Sequence, residues 1–419
     1  MIEAKLKKTD IGEIPEDWEV HKLGDYVDEI TEGPFGSNLK REHYTNEKEA
    51  RIIQLGNIGE NGWNDENVKY TTFNHAKEIA KCIVKPGEIV IAKMMPAGRA
   101  IICPQNEKMY VLSSDAVRLK PKSNVDIDYL LRAVNSFYYR RQIQDKTQGS
   151  TRARINIEKL TESLIMLPSS LSEQQRISVV LSDIDALLSA LNKKIEKKKL
   201  VKQGAMQQLL TAKKRLAGFT EPWEEEKLGK KSYICRGGSP RPISYFLTDD
   251  ANGINWIKIG DVTIKSKYIN KTAERIKQSG ASCSRKVYKG DFILSNSMSF
   301  GRPYILNIDG CIHDGWLVIQ EYQEYYNIDF LYYILSSEFV YNQYKSMAAG
   351  SSVQNLNKEK VENVVLCTPS SKAEQIAIAT ILSDMDAEIE ALETKRSKYE
   401  QVKQGMMQQL LTGRIRLID

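Results

Sequence analysis

The stretch Val201-Lys-Gln-Gly-Ala-Met-Gln-Gln-Leu-Leu-Thr211 is repeated, with one substitution, as Val402-Lys-Gln-Gly-Met-Met-Gln-Gln-Leu-Leu-Thr412. The offset is 201 positions, 402 against 201. Upstream, Leu181-Ser-Asp-Ile-Asp185 returns at the same offset as Leu382-Ser-Asp-Met-Asp386. Self-similarity of this length at one fixed offset indicates an internal duplication. The chain of 419 residues is therefore expected to form two similar halves.

The repeated segments have the apolar spacing of long helices. Apolar residues step by three and four at Ile177, Val180, Ile184, Leu187 and Leu191, and again at Ile378, Ile381, Met385, Leu392, Tyr399, Val402 and Met406. A spacing near 3.5 is typical of a coiled-coil seam, and about 39 residues give a rod on the order of 58 Å. We predict that the two rods pack antiparallel with pseudo-twofold symmetry. The alternative is two separate bundles, each folded against its own lobe.

Local signals refine these helices. Ser172-Glu-Gln-Gln175 has the pattern of a capping box, which predicts where the first helix starts. Gly204 and Gly405 interrupt the apolar pattern. They predict either a break in each helix or a close contact with another helix.

A mixed α/β lobe precedes each long helix. Short strand-like runs match between the lobes, for example 52–58 with 255–262 and 84–91 with 288–294. Apolar spacing predicts a helix over 127–134 in the first lobe and over 328–335 in the second; a further helix is expected to end at Gly149 or Gly350. The predicted fold class is α+β: two similar mixed α/β domains and two long helices packed as an antiparallel coiled coil. The predicted domains are residues 1–168, 169–216, 217–369 and 370–419.

The composition describes a soluble, intracellular type of protein. Apolar residues make up 41% and charged residues 27% of the chain. No run of about 18 apolar residues predicts a membrane span, and the first eight residues lack the apolar segment of a secretory signal. The six cysteines contain no Cys-x-x-Cys pair. We therefore expect reduced, mostly buried thiols and a cytoplasmic location.

The net charge of +6 is unevenly distributed. Residues 192–215 contain nine Lys or Arg against one Glu, and residues 137–160 contain six basic residues against two acidic ones. Clustered basic charge favours a phosphate-bearing partner. The alternative is an ordinary solvated helix face.

Signatures of catalysis are missing from the sequence. There is no Pro-Pro pair, as the adenine or cytosine amino-methyltransferase site would need, and no Gly-x-Gly-x-x-Gly fingerprint. Cys311 and His313 form only a lone pair of potential zinc ligands, where a zinc site needs four. Glu225-Glu-Lys227 resembles the end of a nuclease metal motif, but its counterpart Val20-His-Lys22 lacks the carboxylate. The remaining chemistry is that of binding.

Candidate DNA-contacting residues lie in the glycine-containing loops of both lobes. Hydroxyls and cations suit phosphates, guanidinium forks suit guanine edges, and amides suit adenine edges. The alternative is that these loops carry ordinary surface side chains. The first-lobe candidates are Ser37, Asn38, Lys40, Arg41, Arg99, Ser150, Thr151, Arg152 and Arg154, and the second-lobe candidates are Arg236, Ser239, Arg241, Arg302, Ser351, Ser352, Gln354 and Asn355. Equivalent loops with different side chains are what two readers of different sequences would show.

At this point the chain resembles a family, the specificity subunits of Type I restriction–modification systems. The two helical copies look like its central and distal conserved regions. The opening Ile14-Pro-Glu-Asp-Trp18 and the Gly149-Ser-Thr-Arg152 loop look like parts of its target-recognition domains. The second lobe departs from this pattern, because Gly350-Ser-Ser352 has no Arg nearby.

The resemblance implies a subunit that is not itself catalytic. Each target-recognition domain would read one half of a split double-stranded DNA target, and the helices would set the spacer and dock two modification subunits. Restriction subunits would complete the complex, and no membrane partner is expected. The chain itself would hold no cofactor or metal; S-adenosylmethionine, ATP and Mg²⁺ would belong to the partner subunits.

Two other classes of function stay open at the level of sequence. A stand-alone nuclease or methyltransferase would turn over with Mg²⁺ or S-adenosylmethionine and no partner. A coiled-coil scaffold would lose its complexes when the seam is mutated and would bind no DNA.

Overall fold

The computed structural model describes residues 2–3, 5–60, 62–147, 154–263, 266–296, 300–348 and 355–418. The chain divides into two compact units. Unit 1 comprises Met1–Leu191 and Lys395–Asp419, and unit 2 comprises Asn192–Thr394. Each unit therefore contains one lobe and a part of each long helix. The four predicted domains stay predictions.

The two long helices span Leu171–Leu209 and Lys372–Leu410, which confirms both predicted rods. Each helix continues through its glycine, Gly204 or Gly405, and neither glycine has a neighbouring atom within 4 Å of where a Cβ would lie. The predicted break or close contact is therefore wrong for the interactions inside this chain. Glycine remains an unfavourable residue in a helix interior, because it loses more backbone entropy than alanine.

The predicted capping box at Ser172 is also wrong. The helix begins at Leu171, so Ser172 already lies inside it. Gln174 instead bonds to the first lobe: its side chain donates to the Pro168 carbonyl at 3.1 Å and accepts from the Asp126 amide at 2.9 Å. Gln375 makes the same two bonds in the second lobe, with the Pro369 carbonyl and the Asn327 amide.

Ion pairs join the two long helices in both units, and those of unit 2 show that the helices run antiparallel there. In unit 1, Lys403 pairs with Asp185 at 2.7 Å. In unit 2, the equivalent Lys202 pairs with Asp386 at 2.5 Å, and Lys198 pairs with Glu388 at 2.7 Å. From Lys198 to Lys202 the residue number rises, while the number of the paired residue falls from Glu388 to Asp386. This confirms the antiparallel pairing.

The buried seam differs from the predicted one by single residues. Leu187 is 37% exposed and Val402 is 41% exposed, whereas Leu181 is fully buried. The inward position next to Val402 is taken by Lys403, which bonds to Asp185. A step of three or of four residues satisfies a period of 3.5 equally well. The pattern alone therefore placed these two residues on the wrong side of the stripe.

An arginine joins the end of the second long helix to the start of the first lobe in unit 1. The Arg416 guanidinium makes two bonds to Glu173, at 2.7 and 2.9 Å, and two to Asp17, both at 2.7 Å. Trp18 donates its indole N–H to the same Glu173 at 3.2 Å. The hydrogen bond from Arg416 lowers the pKa of the Asp17 carboxyl. Charge-assisted, two-pronged pairs of this kind fix geometry strongly.

Unit 2 repeats this arrangement. Arg215 makes two bonds to Glu374, at 2.7 and 2.8 Å, and Trp223 donates to Glu374 at 3.3 Å. Trp18 and Trp223, which lie at the start of the two lobes, thus each bond to a buried glutamate of a long helix.

The first lobe is built on two sheets. The four-stranded sheet is antiparallel throughout, and the five-stranded sheet has one parallel pair, Ala50–Ile53 with Tyr110–Leu112. In order of pairing the strands are Ala100–Ile102, Ile89–Ala92, Ala116–Pro121 and Val27–Glu32 in one sheet, and Ile83–Val84, Tyr110–Leu112, Ala50–Ile53, Tyr70–Thr71 and Tyr44–Thr45 in the other. Shorter pairs are Glu19–Lys22 with Leu164–Leu167, Leu6–Thr9 with Gly12–Pro15, Ile58–Gly59 with Gly62–Trp63, and Ile2–Glu3 with Ile415–Arg416.

The second lobe has the same plan. Its sheets are Tyr233–Arg236, Trp316–Gln320, Phe292–Ser295, Pro303–Leu306 and Tyr268–Ile269, and Leu247–Thr248, Glu274–Ile276, Ile254–Ile257, Gly310–Ile312 and Arg285–Val287. Trp223–Lys227 pairs with Val365–Pro369. The predicted strands 52–58 and 255–262 are shorter than expected, because each turns into a 3-10 helix, Leu55–Asn57 or Ile259–Asp261.

The lobe helices confirm the predicted spans. Ile127–Val134 and Ile328–Leu335 are observed with the predicted bounds, and Asp126 and Asn327 cap them by accepting backbone N–H bonds. The remaining α-helices are Phe73–Glu78, Phe137–Thr147, Ile157–Thr161, Ile243–Phe246, Gln278–Ala281, Glu338–Ala348 and Lys358–Glu362. The predicted helix ends at Gly149 and Gly350 lie outside the described residues. No helix in the described part of the chain is long and apolar enough to span a membrane.

Candidate nucleic-acid interface

Equivalent loops of the two lobes come together at one edge of each lobe. The glycine turn starting at Gly33 or Gly237 packs on a second turn, residues 113–115 or 313–315. The Gly33 amide donates to the Ala116 carbonyl at 3.0 Å, and the Gly237 amide donates to the Trp316 carbonyl at 2.8 Å. A Cβ at either glycine would collide with the carbonyl of the opposing turn. Glycine is required here for close approach of two backbones.

A third segment joins this edge at residue 155 or 356. The Ile155 amide donates to the Lys93 carbonyl, and the Leu356 amide donates to the Asn296 carbonyl, both at 2.9 Å. Lys93 is almost fully buried and is paired with Glu32 at 2.7 Å. The segments that follow the predicted reading loops are therefore fixed at equivalent positions in both lobes.

Four first-lobe candidates lie on the loop after Gly33. Ser37, Asn38, Lys40 and Arg41 are all exposed. The backbone of this loop contacts His75, whose ring nitrogen Nε2 lies 2.8 Å from the Asn38 carbonyl oxygen. Its side chains are thus available to a partner while its backbone is anchored.

Arg99 is placed differently from the exposed loop position that was predicted. Its side chain is only 14% exposed, donates to the Met95 carbonyl at 2.7 Å and lies 3.9 Å from Glu60. Burial lowers the pKa of its guanidinium. Contact with DNA would require this side chain to leave both partners, so its role stays a prediction.

Arg154, like Arg41, is a first-lobe arginine that is accessible for contact. Its side chain is 45% exposed, and its guanidinium donates to the Ser114 carbonyl and pairs with Asp115, both at 3.2 Å. The neighbouring candidates Ser150, Thr151 and Arg152 lie outside the described residues.

Three second-lobe candidates converge on Asp314. Its carboxylate accepts from the Ser239 hydroxyl at 3.0 Å and lies 3.4 Å from the Arg241 guanidinium, while its main-chain carbonyl accepts from Arg236 at 3.0 Å. The Ser239 hydrogen bond is the main cause that lowers the pKa of the Asp314 carboxyl. A cavity of about 440 Å³ opens beside this cluster. Arg241 is 82% exposed, so most of its guanidinium faces solvent.

Arg302 lines a groove of about 1190 Å³ between the second lobe and the part of the first long helix in unit 2. Lys213 lines the same groove, and neither cation forms an ion pair within the described residues. Asn355 is exposed, and its carbonyl accepts from Lys360 at 3.0 Å. Ser351, Ser352 and Gln354 lie outside the described residues.

Sequence reasoning missed the acidic residues of this surface. Asp115 and Asp314 are not among the predicted site residues, although each holds an arginine. A carboxylate in a turn beside a glycine loop was the available signal, but no sequence spacing shows which arginine reaches it.

The basic run at 192–215 is partly explained by the fold. Lys198, Lys199, Lys202 and Arg215 pair with carboxylates of the other long helix within unit 2. These four of the nine cations serve helix pairing, and the others leave a basic surface. Four of the six cysteines are buried and all six are free thiols, as predicted. In the parts of the chain that the structure describes, no group of three His, Cys, Asp or Glu residues could hold a metal ion.

A family model and the relatives found by comparison point to the same protein family. The family model described as "Type I restriction modification DNA specificity domain" matches residues 15–200 and 221–402. Two relatives come from Methanocaldococcus jannaschii. The putative type I restriction enzyme MjaX specificity subunit is 27% identical, covering 99% of this chain and 97% of its own length, and the MjaVIII specificity subunit is 25% identical, covering 96% and 94%.

Solved structures show the same fold. The S subunit of a Type I restriction–modification system from M. genitalium superposes with a TM-score of 0.58 at 16% identity, covering 98% of this chain and 99% of that one. A chain from a structure on complex assembly and conformational transition of the type I R-M system reaches 0.64 at 14% identity, covering 96% and 99%.

Proposed function

This chain belongs to the Type I restriction–modification DNA specificity family and is a specificity subunit with two target-recognition domains; from that premise we propose how its parts divide the work. Each lobe reads one half of a bipartite double-stranded DNA target. The long helices set the spacer between the halves and dock the modification subunits. The chain performs no catalysis, and S-adenosylmethionine, ATP and Mg²⁺ act on partner subunits in the cytoplasm.

The observation that carries this proposal is the contrast between lobes and helices. The reading loops occupy equivalent places in both lobes but present different side chains, as in Gly33-Pro-Phe-Gly-Ser-Asn38 against Gly237-Gly-Ser-Pro-Arg-Pro242. Direct readout depends on side-chain chemistry at base edges. Two equally built but differently equipped lobes therefore suit two different half-sites.

One stripe of the helix surface carries the same residues in both copies. We define the outer stripe as the exposed or half-buried positions Lys194, Lys197, Val201, Gly204 and Gln208, with the identical counterparts Lys395, Lys398, Val402, Gly405 and Gln409. The buried residue Ile195, in contrast, corresponds to Arg396. Buried leucines such as Leu209 and Leu210 also recur, as Leu410 and Leu411. Burial inside the fold accounts for those leucines but not for the identity of exposed residues. Two copies of one partner, the modification subunit, would require it.

The test is to map methylated adenines in a genome that carries this chain with its modification subunits. We expect one bipartite motif with a spacer of fixed length. Removing the gene for this chain should abolish that methylation. Methylation at a continuous motif, or methylation that persists without the chain, would contradict the proposal.

Binding and catalysis can be checked separately with purified proteins. The assembled complex should bind target duplex with strongly salt-dependent affinity, because phosphate contacts release counterions. The chain alone should show no turnover with S-adenosylmethionine or Mg²⁺. Turnover by the chain alone would favour a stand-alone enzyme, and the absence of DNA binding by any assembly would favour a scaffold.

A further inference from the structure

The turns at 113–115 and 313–315 each hold an arginine at the same place. The Asp115 carbonyl accepts from the Lys93 amide at 2.8 Å, and the Gly315 carbonyl accepts from the Asn296 amide at 3.1 Å, which makes these two carbonyls equivalent. The carbonyl one residue earlier accepts a guanidinium in both lobes. Ser114 accepts from Arg154 at 3.2 Å, and Asp314 accepts from Arg236 at 3.0 Å.

Each turn also supplies a carboxylate, shifted by one residue between the lobes. Asp115 pairs with Arg154 at 3.2 Å, and Asp314 lies 3.4 Å from Arg241. Asp314 is fixed in turn by the Ser239 hydroxyl at 3.0 Å. The carboxylates are partly exposed, at 29% and 42%, and lie at the edge that carries the candidate reading loops.

The arginines reach these carboxylates from different loops. In the first lobe the glycine turn 33–38 contains no Arg, and Arg154 comes from the segment after Gly149. In the second lobe residues 350–358 contain no Arg. Arg241 lies in the glycine turn, and Arg236 ends the strand before that turn. The second lobe lacks an arginine after Gly350, but arginines from another loop reach the equivalent turn. An exposed guanidinium is held at the same turn by either route.

We propose that Asp115 and Asp314 are positioning residues that determine specificity, one for each half-site. Each carboxylate holds one edge of an arginine, Arg154 or Arg241, and leaves the other N–H groups directed to solvent. A guanidinium oriented in this way loses less side-chain freedom when it meets O6 and N7 of guanine in the major groove. This inference rests on the proposed function.

The test uses the complete complex with its modification subunits. Methylation rates are measured for Asp314→Ala, Asp314→Asn and Asp115→Ala on the target and on duplexes with single base-pair changes in either half-site. For Asp314→Ala we expect discrimination to fall about tenfold at one base pair of the second half-site, which is within the range of a bidentate arginine–guanine contact. Discrimination in the first half-site should not change. Asp115→Ala should show the mirror-image result.

Coupling to arginine separates positioning from mere loop support. Arg241→Ala should lose discrimination at the same base pair, and the double variant with Asp314→Ala should lose no more than Arg241→Ala alone. Asp314→Asn keeps the acceptor for Ser239 and should retain part of the discrimination. Asp249→Asn, an exposed carboxylate of the same lobe, is the matched control and should behave as wild type.

Two results would overturn the inference. One is unchanged discrimination in Asp314→Ala and Asp115→Ala; the other is an equal loss at every base pair, which would indicate general loosening of the lobe. Failure of the proposed function looks different, because the wild-type complex would then show no bipartite target at all.

Discussion

Arg416 lies between two carboxylates in very different surroundings. The Glu173 side chain is 2% exposed and the Asp17 side chain is 60% exposed, while Arg416 itself is 8% exposed. A buried charge that loses its partner stays desolvated and unpaired, whereas an exposed partner is replaced by water. The contribution of each carboxylate therefore depends on its burial more than on its distance.

This contrast gives a prediction for unit 1. Glu173→Ala should lower the free energy of unfolding by about 3 kcal/mol, since Arg416 and the Trp18 indole both lose a buried acceptor. Asp17→Ala, which changes the other carboxylate of the same arginine, should cost no more than about 1 kcal/mol. Urea unfolding followed by circular dichroism measures both. Equal costs for the two variants would show that burial does not set the strength of this cluster.

At the scale of the element, the long helices differ at some positions of the buried seam and keep the outer stripe unchanged. Ile184 corresponds to Met385 and Ile195 to Arg396 on the buried side, yet Val201 and Gly204 recur unchanged on the outside. A seam tolerates an exchange such as Ile184 for Met385, because both residues are apolar and of similar volume. An outer surface has no such internal requirement, so its identity points to a shared partner.

Gly204 provides the prediction at this scale. Gly204→Ala should raise the free energy of unfolding by about 0.5–1 kcal/mol, because alanine favours the helix and no atom lies within 4 Å of the new Cβ. The same change should weaken binding of a modification subunit if that subunit approaches the helix backbone. Gly405→Ala should have the same two effects.

The measurements are urea unfolding of the chain and titration calorimetry with the purified modification subunit. Ser189→Ala is the matched control, because Ser189 is exposed on the same helix but corresponds to Glu390 and so lies outside the outer stripe. It should stabilise the helix by a few tenths of a kcal/mol and leave docking unchanged. Unchanged docking in both glycine variants would remove the outer stripe from the interface.

At the scale of the whole molecule, the two units share one arrangement of strands and helices but carry different loop side chains. The four strands that start at Ala100, Ile89, Ala116 and Val27 pair in the same order as those at Pro303, Phe292, Trp316 and Tyr233. The anchoring pairs at Glu173 and Glu374 are also the same. The second lobe adds the strand Tyr268–Ile269 to this sheet, and the loop side chains differ between the lobes. A shared scaffold with different loops is the expected form of two independent readers.

Exchange of the second lobe tests this independence. Replacing residues 217–369 with the corresponding lobe of another specificity subunit should change one half of the methylated motif and leave the other half and the spacer intact. Methylation mapping in a host with the matching modification subunits reads out both halves at once. A change in both halves would show that the lobes do not read independently.

The sequence by itself determined the duplication and the two long helices, because a fixed repeat and an apolar period are local properties of the chain. It favoured their antiparallel pairing over two separate bundles, and the ion pairs of unit 2 decided between the two. It also predicted the matching lobe helices and the loops that carry the candidate side chains. Only the tertiary structure decided that Leu187 and Val402 face solvent. The same holds for Arg99, which turns inward, and for the turns at Asp115 and Asp314, which collect arginines from different loops. These outcomes depend on which distant groups meet, and spacing along the chain does not encode that meeting.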